Sequence, residues 1–124
     1  MSEYLPDNWV VLKITVDGTI LYKVLAGWSG GYLNGDAWRM NSGITRVEDH
    51  ETYYSFYGYS GSVYKAWKGH YRLRMNNAGI YNKLKEQFGD AVELMPEDTD
   101  WMGLDYEQNI NETLLGEVDN EYFV

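Results

Sequence analysis

The sequence predicts an α+β domain in which one helix packs on an antiparallel sheet of five or six strands, followed by a partly disordered acidic tail. Three observations carry that expectation. Runs rich in β-branched and aromatic residues alternate with Gly-containing turns as far as Leu73, apolar residues switch to four-residue spacing beyond Asn77, and no Lys or Arg follows Lys85. With 124 residues, 44% of them apolar, and no cysteine, the chain fits one domain over residues 1–104 with residues 105–124 as its tail. A core of that size forms without disulfides.

The first strand spans residues 9–16, with Val10, Leu12, Ile14 and Val16 on one face. Asp17-Gly18 then marks a two-residue hairpin, since a type I′ turn needs positive φ at both central positions and these residues tolerate it; residues 19–26 return antiparallel. The Gly-rich stretch 27–36 reads as a loop. Residues 37–47 and 52–59 follow as strands around the polar turn 48–51, and 62–67 and 70–73 as shorter strands bent at Gly69. Ile80, Leu84 and Phe88, with Tyr81 beside them, make the apolar stripe of a helix near residues 77–88. Asn76-Asn77 offers an acceptor for its N-cap, and Gly89 the left-handed residue that ends it. Residues 92–95 form one more strand, Pro96-Glu97-Asp98 ends the β-structure, and residues 106–115 have the spacing of a short helix.

Charge is distributed unevenly. Residues 1–85 hold all ten basic side chains against seven acids, a net of +3, whereas residues 86–124 hold twelve acids and no base. The overall charge of -9 therefore conceals a mildly basic body that can meet phosphate-bearing ligands. The acidic end either solvates the chain or meets a basic surface, on a partner or on its own body. The segment Met1 to Asp7 has neither a basic start nor an apolar run, and no run approaches the roughly 20 apolar residues of a membrane span, so the sequence predicts a cytoplasmic protein away from membranes.

No catalytic constellation emerges from the motifs. Gly27-Trp28-Ser29-Gly30-Gly31 has the G-x-S-x-G pattern of a nucleophile elbow but lies in a hairpin meander, not between a strand and a helix of a parallel sheet. His50 and His70 read as a turn residue and an exposed strand residue, too few for a three-His metal site. Asp98 to Gly103 begins like a calcium loop and then fails, with Met102 where an oxygen-bearing side chain is required and Asn109 where a bidentate Glu is required. The sequence thus predicts no enzyme, metal or cofactor.

Two features suggest binding instead. Tyr22 and Gly27 to Gly30 align at an offset of 31 residues with Tyr53 and Gly58 to Gly61, giving two Gly-aromatic-Ser-Gly segments. Each presents a ring, a hydroxyl and free backbone N–H groups, or simply makes a tight turn. Trp38, Arg39, Tyr64, Lys65, Trp67, Lys68, Tyr71, Arg72 and Arg74 interleave cations with rings, which suits nucleotides and suits ordinary cross-strand packing equally. From these segments the candidate ligand-binding residues are Trp28, Ser29, Trp38, Arg39, Tyr59, Ser60, Lys65, Arg72 and Arg74.

The run Tyr22 to Tyr32, with Trp38 to Ile44, Gly58 to Tyr64 and Pro96 to Trp101, resembles small accessory proteins of tailed bacteriophages, including T4-like phages of marine bacteria. The resemblance covers residues 5–102 and carries no activity with it. It implies an accessory protein acting in the bacterial cytoplasm. The leading expectation is therefore a non-catalytic protein that engages, and by analogy with other small phage proteins inhibits, a host or phage protein. The alternative is a small-ligand binder that sequesters a nucleotide or cyclic nucleotide. A homo-oligomer stays open.

Overall fold

A computed structural model describes residues 2–31, 35–106 and 118–119. The chain is mostly β with one helix, but its strands build two stacked sheets instead of one. β1 (Glu3–Tyr4), β7 (Val63–Trp67), β6 (Tyr53–Gly58) and β5 (Ile44–Asp49) lie side by side in that order. The second sheet runs β8 (Val92–Leu94), β2 (Asn8–Val16), β3 (Thr19–Gly31), β4 (Gly35–Met40) and β9 (Val118–Asp119). All pairings are antiparallel except β1 with β7.

The second sheet follows from β2, whose segment Asn8 to Leu12 is buried at every position. A strand with both faces covered shows a continuous apolar run where a half-exposed one alternates. Trp9 and Val11 face the four-stranded sheet and meet Phe56, Tyr64 and Ala66, while Val10 and Leu12 face the other way and pack with Trp38, Met40 and Leu84. The fold is thus three layers, sheet on sheet on helix, with α1 (Ala78–Phe88) covering the outer face of the five-stranded sheet.

The Asp17-Gly18 hairpin forms as its sequence requires, with φ of 51° and 79° at the two residues and Val16 opposite Thr19. The stretch expected to be a loop from Gly27 continues β3 to Gly31, since Gly27 and Trp28 pair with Trp38 and Ala37. The strand expected over residues 37–47 is two strands, because the chain changes sheets at Asn41-Ser42-Gly43, where Gly43 has a φ of 131°. The last short strand reduces to a single bridge between Tyr71 and Trp9. The helix starts and ends where its periodicity places it, with Gly89 at φ 55°. Asn77 makes no side-chain cap: its Oδ1 accepts from the Arg74 N–H and its Nδ2 donates to the Leu25 carbonyl.

Ordered structure also continues past Pro96. A single 3₁₀ turn, Trp101–Gly103, inserts the Trp101 ring, 2% exposed, between the sheets against Trp9, Phe56 and Tyr71. Tyr106 packs edge-on against Tyr22, and Val118–Asp119 pairs with Arg39 and Met40 of β4. Ordering therefore reaches into the acidic segment assigned to the tail; the short helix expected over 106–115 lies, beyond Tyr106, outside the described residues.

Two predictions follow from this core. Trp101→Ala should cost about 3–5 kcal/mol in denaturant unfolding, as for other buried tryptophans, whereas a loss below 1 kcal/mol would detach the turn from the core. The second concerns Tyr71, whose hydroxyl donates to the Met95 carbonyl and accepts from the Val11 N–H where β8 leaves β2. Burial pushes it up to about 12. An unfolded tyrosine ionises near 10, so the stabilisation is complete below about pH 10 and is lost as pH rises through about 12. Unfolding free energy should fall in that window by roughly 1 kcal/mol per pH unit on account of this group. Tyr71→Phe should flatten the slope while lowering stability at neutral pH.

Candidate functional site

Two surfaces gather exposed aromatic and charged side chains. The first is a groove at the end of β7. After Trp67 the chain turns at Gly69, whose φ is 86°, and runs back extended beside the start of β2, with Trp9 N–H donating to His70 O and Arg72 N–H to Trp9 O. Alternate residues of an extended chain face opposite ways. Tyr71 and Leu73 accordingly enter the core, and His70, Arg72 and Arg74 face out. Together with Trp67 they border an open groove of about 410 Å³ whose opposite wall is Leu5-Pro6-Asp7. A second lobe of about 380 Å³, between Ser29, Met75 and Asn76, shares Arg74 with the first.

Buried amides fix the backbone beneath these cations. Asn8 and Asn76 exchange side-chain hydrogen bonds of 3.0 and 2.7 Å, and Asn8 Nδ2 also donates to Arg72 O at 3.1 Å. Both residues are nearly inaccessible, at 1% and 5% exposure, so the pair is a satisfied polar lock inside the fold. It explains Gly27: a Cβ there would lie 2.1 Å from Asn76 Oδ1. The glycine that suggests a turn in the sequence instead makes room for an amide.

The groove's charges are largely available. Arg72 Nη2 donates to Gly69 O at 2.7 Å and forms no ion pair among the described residues. Among the described residues the Arg74 guanidinium has neither an ion pair nor a hydrogen bond. His70 Nδ1 lies 3.0 Å from Asp7 O; a carbonyl can only accept, so Nδ1 carries the proton and Nε2 is the free ring position. The one carboxylate on the wall, Asp7, accepts from Ser29 N–H at 2.7 Å.

The second surface is the outer face of the four-stranded sheet, which no helix covers among the described residues. Arg46 lies 3.8 Å over the Tyr57 ring and 3.0 Å from Glu48, and Tyr57 OH donates to Glu48 at 2.6 Å. The Tyr57 hydrogen bond above all holds the Glu48 carboxyl below its ordinary value; burial opposes it, and the Arg46 contacts reinforce it to a lesser degree. His50 stacks on Tyr53 at 4.4 Å with its Nε2 3.2 Å from Ser55 Oγ, and Tyr53 leans on Trp67. Lys65 pairs with Glu3 on this face, whereas Lys68 pairs with Asp49 at the sheet's other side, over the Tyr54 ring.

Of the nine residues singled out from sequence, Ser29, Arg72 and Arg74 meet at the groove. Trp28 lies just behind it, half-buried, with its indole N–H on Leu5 O. Trp38 is 7% exposed in the helix-side core and presents no face to a ligand. Arg39 stacks over Tyr4 at 4.7 Å, and Lys65 belongs to the sheet face. Tyr59 and Ser60 form a separate turn that pins the sheet crossover, with Ser60 N–H donating to Ser42 Oγ and Tyr59 OH to Tyr106 O. The two Gly-aromatic-Ser-Gly segments are therefore unlike, one inside a strand and one a turn, and they build no common site. Trp67 and His70 are among the groove residues the candidate set omits, as is the facing wall Leu5-Pro6-Asp7. The i, i+2, i+4 spacing of His70, Arg72 and Arg74 is the signal that finds the histidine.

No protein-family model, curated protein or solved structure matches the chain. Among the described residues no helix is long and apolar enough to cross a membrane, and no group of three or more metal-ligating side chains occurs.

Gly27→Ala tests the lock under the groove. The added methyl must displace the Asn76 amide and leave Asn8 short of a partner, so unfolding free energy should drop by about 2 kcal/mol or more. Gly79→Ala, at an exposed helical glycine with open space around it, should leave stability unchanged or raise it slightly. Equal effects at the two sites would refute the lock.

Proposed function

We propose that this chain is a non-catalytic binding domain that engages a partner protein through the uncovered face of its four-stranded sheet. The observation that carries this reading is the asymmetry of the two outer faces: α1 covers one, whereas Tyr53, Tyr57 and Trp67 stand on the other without a covering layer among the described residues. Tyrosine, tryptophan and arginine supply most of the energy of protein interfaces because they bury large areas at low conformational cost. Arg46, stacked flat on Tyr57 and tied to Glu48, is already ordered, which reduces what association must immobilise. Following the phage resemblance, the expected partner is a host or phage protein in the bacterial cytoplasm.

Charges of this face are paired with one another, as Arg46 with Glu48 and Lys65 with Glu3. Association through it should therefore depend weakly on salt, unlike an association led by the acidic segment, whose exposed charges are screened within about 10 Å at 0.1 M. Capture from host lysate at 50 and 300 mM salt, with the wild type beside Tyr53→Ala and Tyr57→Ala, tests this. One partner should be retained at both salt concentrations and lost from the variants. A partner released by salt but held by both variants would place the interface elsewhere.

A further inference from the structure

We propose that the groove between Trp67 and Arg74 binds a single nucleotide, with Arg72 and Arg74 on its phosphate and the Trp67 ring against its base. The site adjoins the sheet face and shares Trp67 with it, but its phosphate contacts through Arg72 and Arg74 do not rest on the protein-partner reading. The Cα atoms of two arginines two residues apart on an extended chain lie roughly 7 Å from each other, a spacing at which their long side chains can converge on one phosphate. Arg72 meets only a backbone carbonyl and Arg74 has no partner among the described residues, so neither must surrender a carboxylate to take an anion. His70 adds a third donor when protonated, and its orientation is set by Asp7 O.

Planar recognition comes from the neighbouring surface. Trp67 is 39% exposed and Met75 93%, which gives the phosphate site apolar flanks at both lobes. Aromatic stacking accepts any base because each has a π-face. The main lobe, about 410 Å³, falls in the range of small-ligand sites, and its two arginines match the charge of a single nucleotide better than that of a long polyanion. The groove's carboxylate, Asp7, is tied to the Ser29 N–H, and the Asn8–Asn76 lock bonds the Arg72 carbonyl, so the cations are presented on fixed backbone.

Isothermal titration of the full chain with AMP, cyclic AMP, ATP and GTP, with adenosine, a dT oligomer and a tetraglutamate peptide as comparators, tests the assignment. At least one nucleotide should bind. Arg72→Ala and Arg74→Ala should each weaken that nucleotide about tenfold or more and leave any adenosine binding unchanged, since charge-assisted bonds are made only to phosphate. Trp67→Ala should weaken nucleotide and nucleoside alike, by about fivefold or more. Lys83→Ala, which removes the same charge from α1, should change nothing. No heat with any nucleotide at millimolar concentration, equal loss in Lys83→Ala, or full affinity in both arginine variants would overturn the proposal. So would tighter binding of the oligomer or of the acidic peptide.

Discussion

The Trp9 indole is enclosed by four rings, Tyr54, Phe56, Tyr71 and Trp101, drawn from three distant stretches of chain, and its N–H donates to Trp67 O at 2.8 Å. That one side chain joins the two sheets, the returning segment and the C-terminal turn. It also anchors the end of β7, where alternation sends Ala66 into the core and the Trp67 ring outward, to where the groove and the open sheet face adjoin. Indole suits this position because it offers a large apolar area with a single donor, and here the donor is satisfied inside the core.

Polar groups do comparable work on the other side of β2. An unpaired buried amide costs about 1–3 kcal/mol, so burying three asparagines succeeds only because Asn8, Asn76 and Asn77 bond to each other's amides or to backbone. Mutual satisfaction is directional, and it orients the chain entering α1 as well as packing it. The cations of Arg72 and Arg74 inherit that orientation. Asn41 shows the contrast, since its Oδ1 accepts from Val24 N–H while its Nδ2 has no partner, at the point where the chain leaves one sheet for the other.

What could be read from the sequence was what local chemistry decides. Asp17-Gly18 made its hairpin and the Ile80, Leu84, Phe88 spacing its helix because turn geometry and helical period act over a few residues. The second sheet was harder to read, although the unbroken run Trp9-Val10-Val11-Leu12 is its signature. Gly27 misled because a glycine needed for positive φ and one needed for close approach look alike in sequence; its role depends on Asn76, forty-nine positions away. Trp101 sits in an acidic stretch whose composition suggests solvent, and only the vacancy between the sheets explains its burial. The candidate site divided in the same way: residues on one extended segment, Arg72 and Arg74, came together, whereas Trp38 was claimed by the core and Tyr59 by the crossover turn.

The β1–β7 pairing has a consequence for how the molecule acquires its shape. Glu3 meets Val63 and Tyr4 meets Tyr64, so a two-residue strand ties the start of the chain to its middle, while Trp9 waits for a ring at position 101. The β2–β3 ladder, by contrast, closes over a two-residue turn. Loop entropy grows with the logarithm of loop length, so most of the ordering cost of this topology falls on bringing the sheets together and little on forming the hairpin. Docking, more than strand formation, separates the native molecule from its nearest unfolded neighbours, and the groove exists only once that docking is complete.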